Sequence, residues 1–254
     1  MIYKNYIIPM ECLLVGNRVK RGAVELLNAL ETEGISYTVI TEHSGKYRDN
    51  FVDDMVDHGF QYVRPSYVYT SSMAAVDYVL WAHPDKRKAM MLGGRGLHSA
   101  LEKGGFTFTH ENPDWLFLGN AREASYLDYS ECLEAIMNGA YIISVDNRRM
   151  QLYEGRHILG NASVVKMLEY ATGSKAVSFG RGSKYLLASV LRYMQTTSEN
   201  TIMVGSDFTK DILPAQSLGM KTCFVSEGRD MSEWGIEANK HPDYIVEDLF
   251  GLTR

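Results

Sequence analysis

The sequence predicts an α/β fold with a parallel sheet, interrupted by a second α/β domain. Two observations carry this. Apolar runs of strand length alternate with stretches whose apolar residues recur at helical spacing, the pattern of strand–helix–strand units. Between the two halves of that series, a middle block has strands and helices of its own. The middle block, beginning at about Asp85, is expected to be an inserted domain.

Residues 6–8 form the first apolar run, and after Gly22 the residues Ala23, Leu26, Leu27 and Leu30 fall on one helix face, closed by Gly34. Residues 37–40 are a second strand, leading into a polar loop at 41–45. A third unit ends near Val68 and Tyr69; Thr70 or Ser71 is placed to cap a helix carrying Met73, Val76, Val79 and Leu80, which Pro84 ends. In the middle block, 89–92, 115–118 and 141–145 read as strands, and 96–104 and 125–138 as helices. A helix starting at Ser163 and closed by Gly173 completes it. The core pattern then resumes with strands at 176–179, 202–204 and 222–225 and helices at 185–194 and 211–218.

Composition removes several classes of function. The chain has 254 residues, of which 45% are hydrophobic and 22% charged, enough for a substantial core. A net charge of -5 gives no basic face for nucleic acid. No apolar run approaches the roughly 20 residues of a membrane helix, and no signal-like segment opens the chain. Cys12, Cys132 and Cys223 are widely spaced, without a C-x-x-C pair, and read as reduced thiols of a cytoplasmic protein.

Segments spread along the chain resemble one family. The words Tyr69-Thr70-Ser71-Ser72-Met73, Gly93-Gly94-Arg95-Gly96-Leu97, Leu168-Glu169-Tyr170-Ala171-Thr172-Gly173 and the run from Asp211 to Thr222 are similar, in order and spacing, to the haloacid-dehalogenase superfamily, subfamily IIA, the NagD-like or p-nitrophenylphosphatase-like group. The resemblance implies a doubly wound, Rossmann-like core of residues 1–84 and 175–254, with its active site at the carboxyl ends of the strands, under an inserted α/β cap domain at 85–174.

It also implies which positions would carry chemistry, and several have changed. Pro9 matches the nucleophilic aspartate that forms an aspartyl phosphate, and proline has no ionisable side chain. Glu11 matches the aspartate that acts as general acid and base, with one more methylene; Cys12 and Leu13 replace the small residues that follow. Thr41 keeps the hydroxyl that binds phosphate, but Glu42 and His43 stand where the family has Asn-Asn. They read either as charges near that phosphate, with protonated His43 offsetting Glu42, or as a solvent-facing loop. Arg181 matches the phosphate-binding lysine, a planar fork in place of a point charge, while Lys184 opens the next helix. Ser206 replaces a magnesium-binding aspartate, with Asp207 one residue out of register and Asp211 retained.

Glu11, Asp207 and Asp211 are therefore the candidate ligands for a weak Mg²⁺ site; the alternative is that Asp207 caps the following helix and Asp211 binds the loop. In the cap, Ala121 stands where an aspartate is usual, and Asp146-Asn147-Arg148 matches an Asn-Pro-Asp stretch. Arg95, Arg122, Arg148 and Arg149 would make a positive rim for an anionic ligand or are scattered surface charges.

The expected function is a phosphatase relative, impaired or inactive, that keeps a cleft for a phosphorylated or anionic small molecule or for regulation. The alternative is a magnesium-dependent phosphate-ester hydrolase using Glu11 and the displaced carboxylates; Cys12 as a substitute nucleophile is weaker, since an isolated cysteine among apolar residues is usually inert. Trp81, Trp115 and Tyr129 are candidate surface or core aromatics, and relatives in the subfamily imply a homodimer through the caps.

Overall fold

In a computed structural model, which describes residues 3–229 and 240–253, two parallel sheets form the centres of two units. The first unit comprises residues 1–41, 48–69 and 182–254; the second comprises 42–47 and 70–181.

The first unit is built on a six-stranded sheet in the order 244–246, 221–225, 201–205, 5–9, 36–41, 68–70. The strands Asn5–Pro9, Ser36–Thr41, Thr201–Gly205, Lys221–Val225 and Tyr244–Val246 run parallel, with Ile7 opposite both Thr38 and Met203. The central strand reads Tyr6-Ile7-Ile8 because both its faces are covered, which favours a continuous apolar run over alternation. The helix Ala23–Thr32 buries Ala23, Leu26, Leu27 and Leu30, the predicted face. They pack with Ile8, Leu13, Val39, Phe60, Val204 and Cys223 in one core cluster. Burial of each such aliphatic side chain contributes about 1.5–3 kcal/mol.

The second unit has a five-stranded parallel sheet, ordered 177–178, 141–144, 115–118, 88–92, 107–108. Its core joins Met90, Leu116, Leu118, Ile142, Val165 and Leu168. The helix Tyr126–Met137 starts in a capping box, in which Ser125 and Asp128 each bond the other's backbone N–H. Thr70 caps Ser71–Ala82 as expected, its hydroxyl accepting from Met73 N at 3.2 Å.

Both unit boundaries move from the expected 84/85 and 174/175. The helix Ser71–Ala82 packs on Arg95–Lys103, with Val76 against Gly104. The strand Val177–Ser178, expected in the core, instead pairs with Tyr141–Ser144. Residues 42–47 join the second unit through backbone contacts too close for a side chain: a Cβ on Gly94 would lie 2.6 Å from Gly45 Cα.

Smaller differences have local causes. The helix expected from Ser163 starts two residues earlier and spans Asn161–Thr172; the Asn161 amide is buried and bonded to Leu118 O, Ser144 Oγ and Asp146 O. The helix expected over 211–218 divides into a π-helical turn at Phe208–Ile212 and the short helix Leu213–Ser217, with Pro214 in its first turn. Trp115 is 4% exposed and belongs to the core, whereas Trp81 is 68% exposed. No helix among the described residues is long and apolar enough to cross a membrane.

Candidate functional site

In the first unit the strand order reverses between Asn5–Pro9 and Thr201–Gly205, and open α/β sheets bind ligands beyond the carboxyl ends at such a point. Pro9, Glu11, Thr41, Ser206, Asp207 and Asp211 all lie at that edge.

Pro9 ends the central strand, opposite Ile40, with φ -61° and ψ 141°. Its fixed φ suits the position before a helix, and the next residues form the short helix Met10–Leu13. Pro9 is buried, as are Met10, Cys12 and Leu13, while Glu11 is partly buried in the helix's first turn. Cys12 is 1% exposed, inside the core cluster, which removes the accessibility a nucleophilic thiol needs. Thr41 ends the neighbouring strand and is 3% exposed, so its hydroxyl is held at the same edge.

At the end of Thr201–Gly205 the carboxylates serve the backbone. Asp211 is fully buried, and its Oδ2 accepts from Ser206 N at 3.1 Å and from Asp207 N at 2.9 Å. Asp207 Oδ1 in turn accepts from Thr209 N at 3.1 Å and Lys210 N at 3.0 Å, capping the π-helical turn. Gly205 is required here, since a Cβ on it would lie 2.3 Å from Asp211 Cβ. The carbonyl of Ser206 accepts from Arg229 Nη2 at 2.8 Å.

These residues do not fit the magnesium centre that the family resemblance implies. Mg²⁺ demands near-octahedral oxygen ligation at about 2.0–2.1 Å. Pro9 offers no side-chain donor, Ser206 offers a neutral hydroxyl, and Asp211 spends its buried oxygen on two N–H groups. Among the described residues no three His, Cys, Asp or Glu side chains group as metal ligands, so Glu11, Asp207 and Asp211 are not assembled into the expected weak site.

The remaining candidates fall in the second unit. Arg181 is 9% exposed; its backbone N–H donates to Glu42 Oε2 at 2.9 Å, and its carbonyl accepts from Asn147 Nδ2 at 3.1 Å. Glu42 also accepts from Asn147 N at 2.8 Å and is 4% exposed, which overturns its reading as a solvent-facing loop residue. His43 does not supply the expected offsetting charge. Its burial, aided by the Arg148 guanidinium, pushes its pKa below the ordinary value, and its Nδ1 accepts from Gly45 N at 3.2 Å. Arg148 forks onto the buried carboxylate of Asp146, so it is committed within the fold and is not part of a rim. Sequence reasoning missed the burial of Glu42. Its only signal was a lone acid between Thr41 and Ser44, both of which are themselves buried.

Comparison with known proteins gives a consistent picture. Residues 12–107 match the model of haloacid dehalogenase-like hydrolases, and residues 178–252 match a HAD-hydrolase-like model. The chain is 26% identical to the 5'-nucleotidase YutF of Bacillus subtilis, over 97% of this chain and 96% of that protein. Among solved structures, a mutant thermostable p-nitrophenylphosphatase from Bacillus stearothermophilus superposes with a TM-score of 0.89 at 28% identity, covering 98% of this chain and 97% of the other. NagD from E. coli K-12 does so with a TM-score of 0.88 at 25% identity, covering 98% of each chain.

Proposed function

Because the chain belongs to the haloacid dehalogenase-like hydrolases, in the NagD-like subfamily IIA, yet ends its central strand in proline, we propose that it has lost phosphoryl-transfer chemistry and serves by binding a phosphorylated or anionic small molecule in a regulatory role. Pro9 is the observation that carries this reading. A covalent route of the family's kind requires a nucleophilic oxygen at the position that ends the central strand, and Pro9 supplies none there. The engagement of Asp207 and Asp211 with backbone N–H groups supports it further. Three cysteines present as free thiols, all of them buried, support a cytoplasmic setting.

The covalent step can be tested by incubating the protein with acetyl phosphate and Mg²⁺, quenching in acid and weighing its peptides. The expected result is an unmodified peptide spanning Pro9. A phosphorylated one would contradict the reading.

The second reading is phosphate-ester hydrolysis without a covalent intermediate, favoured by Glu11 at the carboxyl edge and by the phosphatase activity named for the relatives. Here Glu11 would accept a proton from water as the water oxygen bonds to phosphorus and the ester P–O bond breaks, and would then give that proton to the leaving alcohol's oxygen. Glu11→Gln would remove that base while keeping its shape.

A further inference from the structure

The second unit has a cleft lined wholly by its own residues. Its sheet reverses order between Lys88–Leu92 and Trp115–Leu118, the position where an open α/β sheet offers a ligand crevice. An open cavity of about 830 Å³ lies there. A second of about 410 Å³ shares Leu92, Asn120, Ala121, Arg122 and Ile158 with it. The larger one is within the range of roughly 300–1,000 Å³ usual for small-molecule sites.

The polar groups in this cleft have a consistent charge logic. Arg95 opens the helix Arg95–Lys103, whose N-cap Gly94 brings no side-chain acceptor, so the cation and the positive helix end coincide. Arg122 reaches the cleft from a separate loop, its guanidinium carbon 4.3 Å from the ring centroid of Tyr153, a stacking that orients the fork. Two acids also line the cavity. Asp128 is committed to the Ser125 capping box, accepting from Ser125 N at 2.6 Å and Ser125 Oγ at 2.8 Å. Glu123 is exposed and opposes an anion. Asn120 and Gln151 pair their amides at 3.1 and 2.9 Å, which spends one donor and one acceptor of each and leaves Asn120 capacity for ligand hydroxyls.

We propose that this cleft binds a phosphate monoester of a ring-bearing, hydroxylated small molecule, with Arg95 and Arg122 recognising the phosphate. The proposal deepens the binding half of the reading above and rests on it. Two arginines, one opening a helix and one from a separate loop, can each fork onto phosphate oxygens, while Tyr153 and the Asn120 amide face the remainder of the ligand.

The test is calorimetric titration of the full chain with AMP, using adenosine as the uncharged comparison. Saturable AMP binding is expected, with adenosine much weaker. Arg95→Ala and Arg122→Ala should each weaken AMP binding by about tenfold or more, Lys103→Ala at the far end of the same helix should leave it unchanged, and Glu123→Gln should tighten it. That gain cannot come from damage to the fold. If AMP binding survives both arginine variants but is lost in Thr41→Val, the ligand sits in the first unit and the proposal is overturned while the binding reading stands. If AMP does not bind at all, both are overturned. Release of inorganic phosphate in the same titration would overturn the loss of catalysis without touching the assignment of the cleft.

Discussion

Asp211→Ala is expected to destabilise the protein by about 3 kcal/mol or more. The carboxylate is fully buried and holds the N–H groups of Ser206 and Asp207 at 3.1 and 2.9 Å, while its own N–H donates to Asp207 O at 2.8 Å. Truncation strands two partly buried donors and opens space beside Gly205 at a fully buried position; a stranded donor costs about 1–3 kcal/mol when buried. Against a typical total stability of about 5–15 kcal/mol this is a large fraction. Urea unfolding of the purified variant should show it as a lowered midpoint. Asp211→Asn, which keeps one oxygen for the two donors, should lose less. The decisive control is magnesium: a structural carboxylate loses the same stability with or without millimolar Mg²⁺, whereas a loss seen only with the ion would make Asp211 a metal ligand.

Glu42→Ala is expected to have an effect of the same order, about 3 kcal/mol, for a related reason. One oxygen, Oε2, gathers N–H groups from Asn147 and Arg181, residues 105 and 139 positions away in sequence. The carboxylate thus ties the segment 42–47 to two distant points, Asn147 and Arg181, of the second unit's main stretch 70–181. Water cannot replace it readily at 4% exposure. Hydrogen exchange gives a residue-level readout: the amides of Asn147 and Arg181 should exchange at least about tenfold faster in Glu42→Ala, since loss of about 1.4 kcal/mol of local protection is a factor of ten. Glu42→Gln, which retains an acceptor oxygen, should lie between. Wild-type exchange at both amides in Glu42→Ala would show that the carboxylate does not hold them.

Much of the fold was legible because it depends on local periodicity. The helix Ala23–Thr32 and the strands Asn5–Pro9 and Trp115–Leu118 announce themselves through unbroken spacing of apolar residues. The helix Arg48–Asp57 was not located, because only Phe51, Val52 and Met55 of its ten residues are buried. The strand Tyr244–Val246 was missed for a similar reason, being a three-residue edge strand with Tyr244 and Ile245 exposed. The strand Val177–Ser178 was recognisable as a strand, but only its pairing with Tyr141–Ser144 assigns it to the second sheet.

The candidate site shows the same division. That Pro9 and Ser206 lack the chemistry of an aspartate follows from residue identity alone. That Asp207 caps a turn and Asp211 binds a loop was one of two open readings, since the geometry of a carboxylate is decided by which N–H groups converge on it. Glu42 was unreadable from its neighbours for the same reason. A charged residue in a loop is ordinarily solvated, and only donors brought from distant segments make its burial tolerable.

Phosphate release from p-nitrophenyl phosphate, with excess Mg²⁺ and a range of protein concentrations, decides whether the fold persists without its phosphoryl-transfer chemistry, as proposed. The predicted result is a rate at the protein-free blank, identical for the wild-type chain and Glu11→Gln. Turnover that rises in proportion to the wild-type protein and collapses in Glu11→Gln would contradict it.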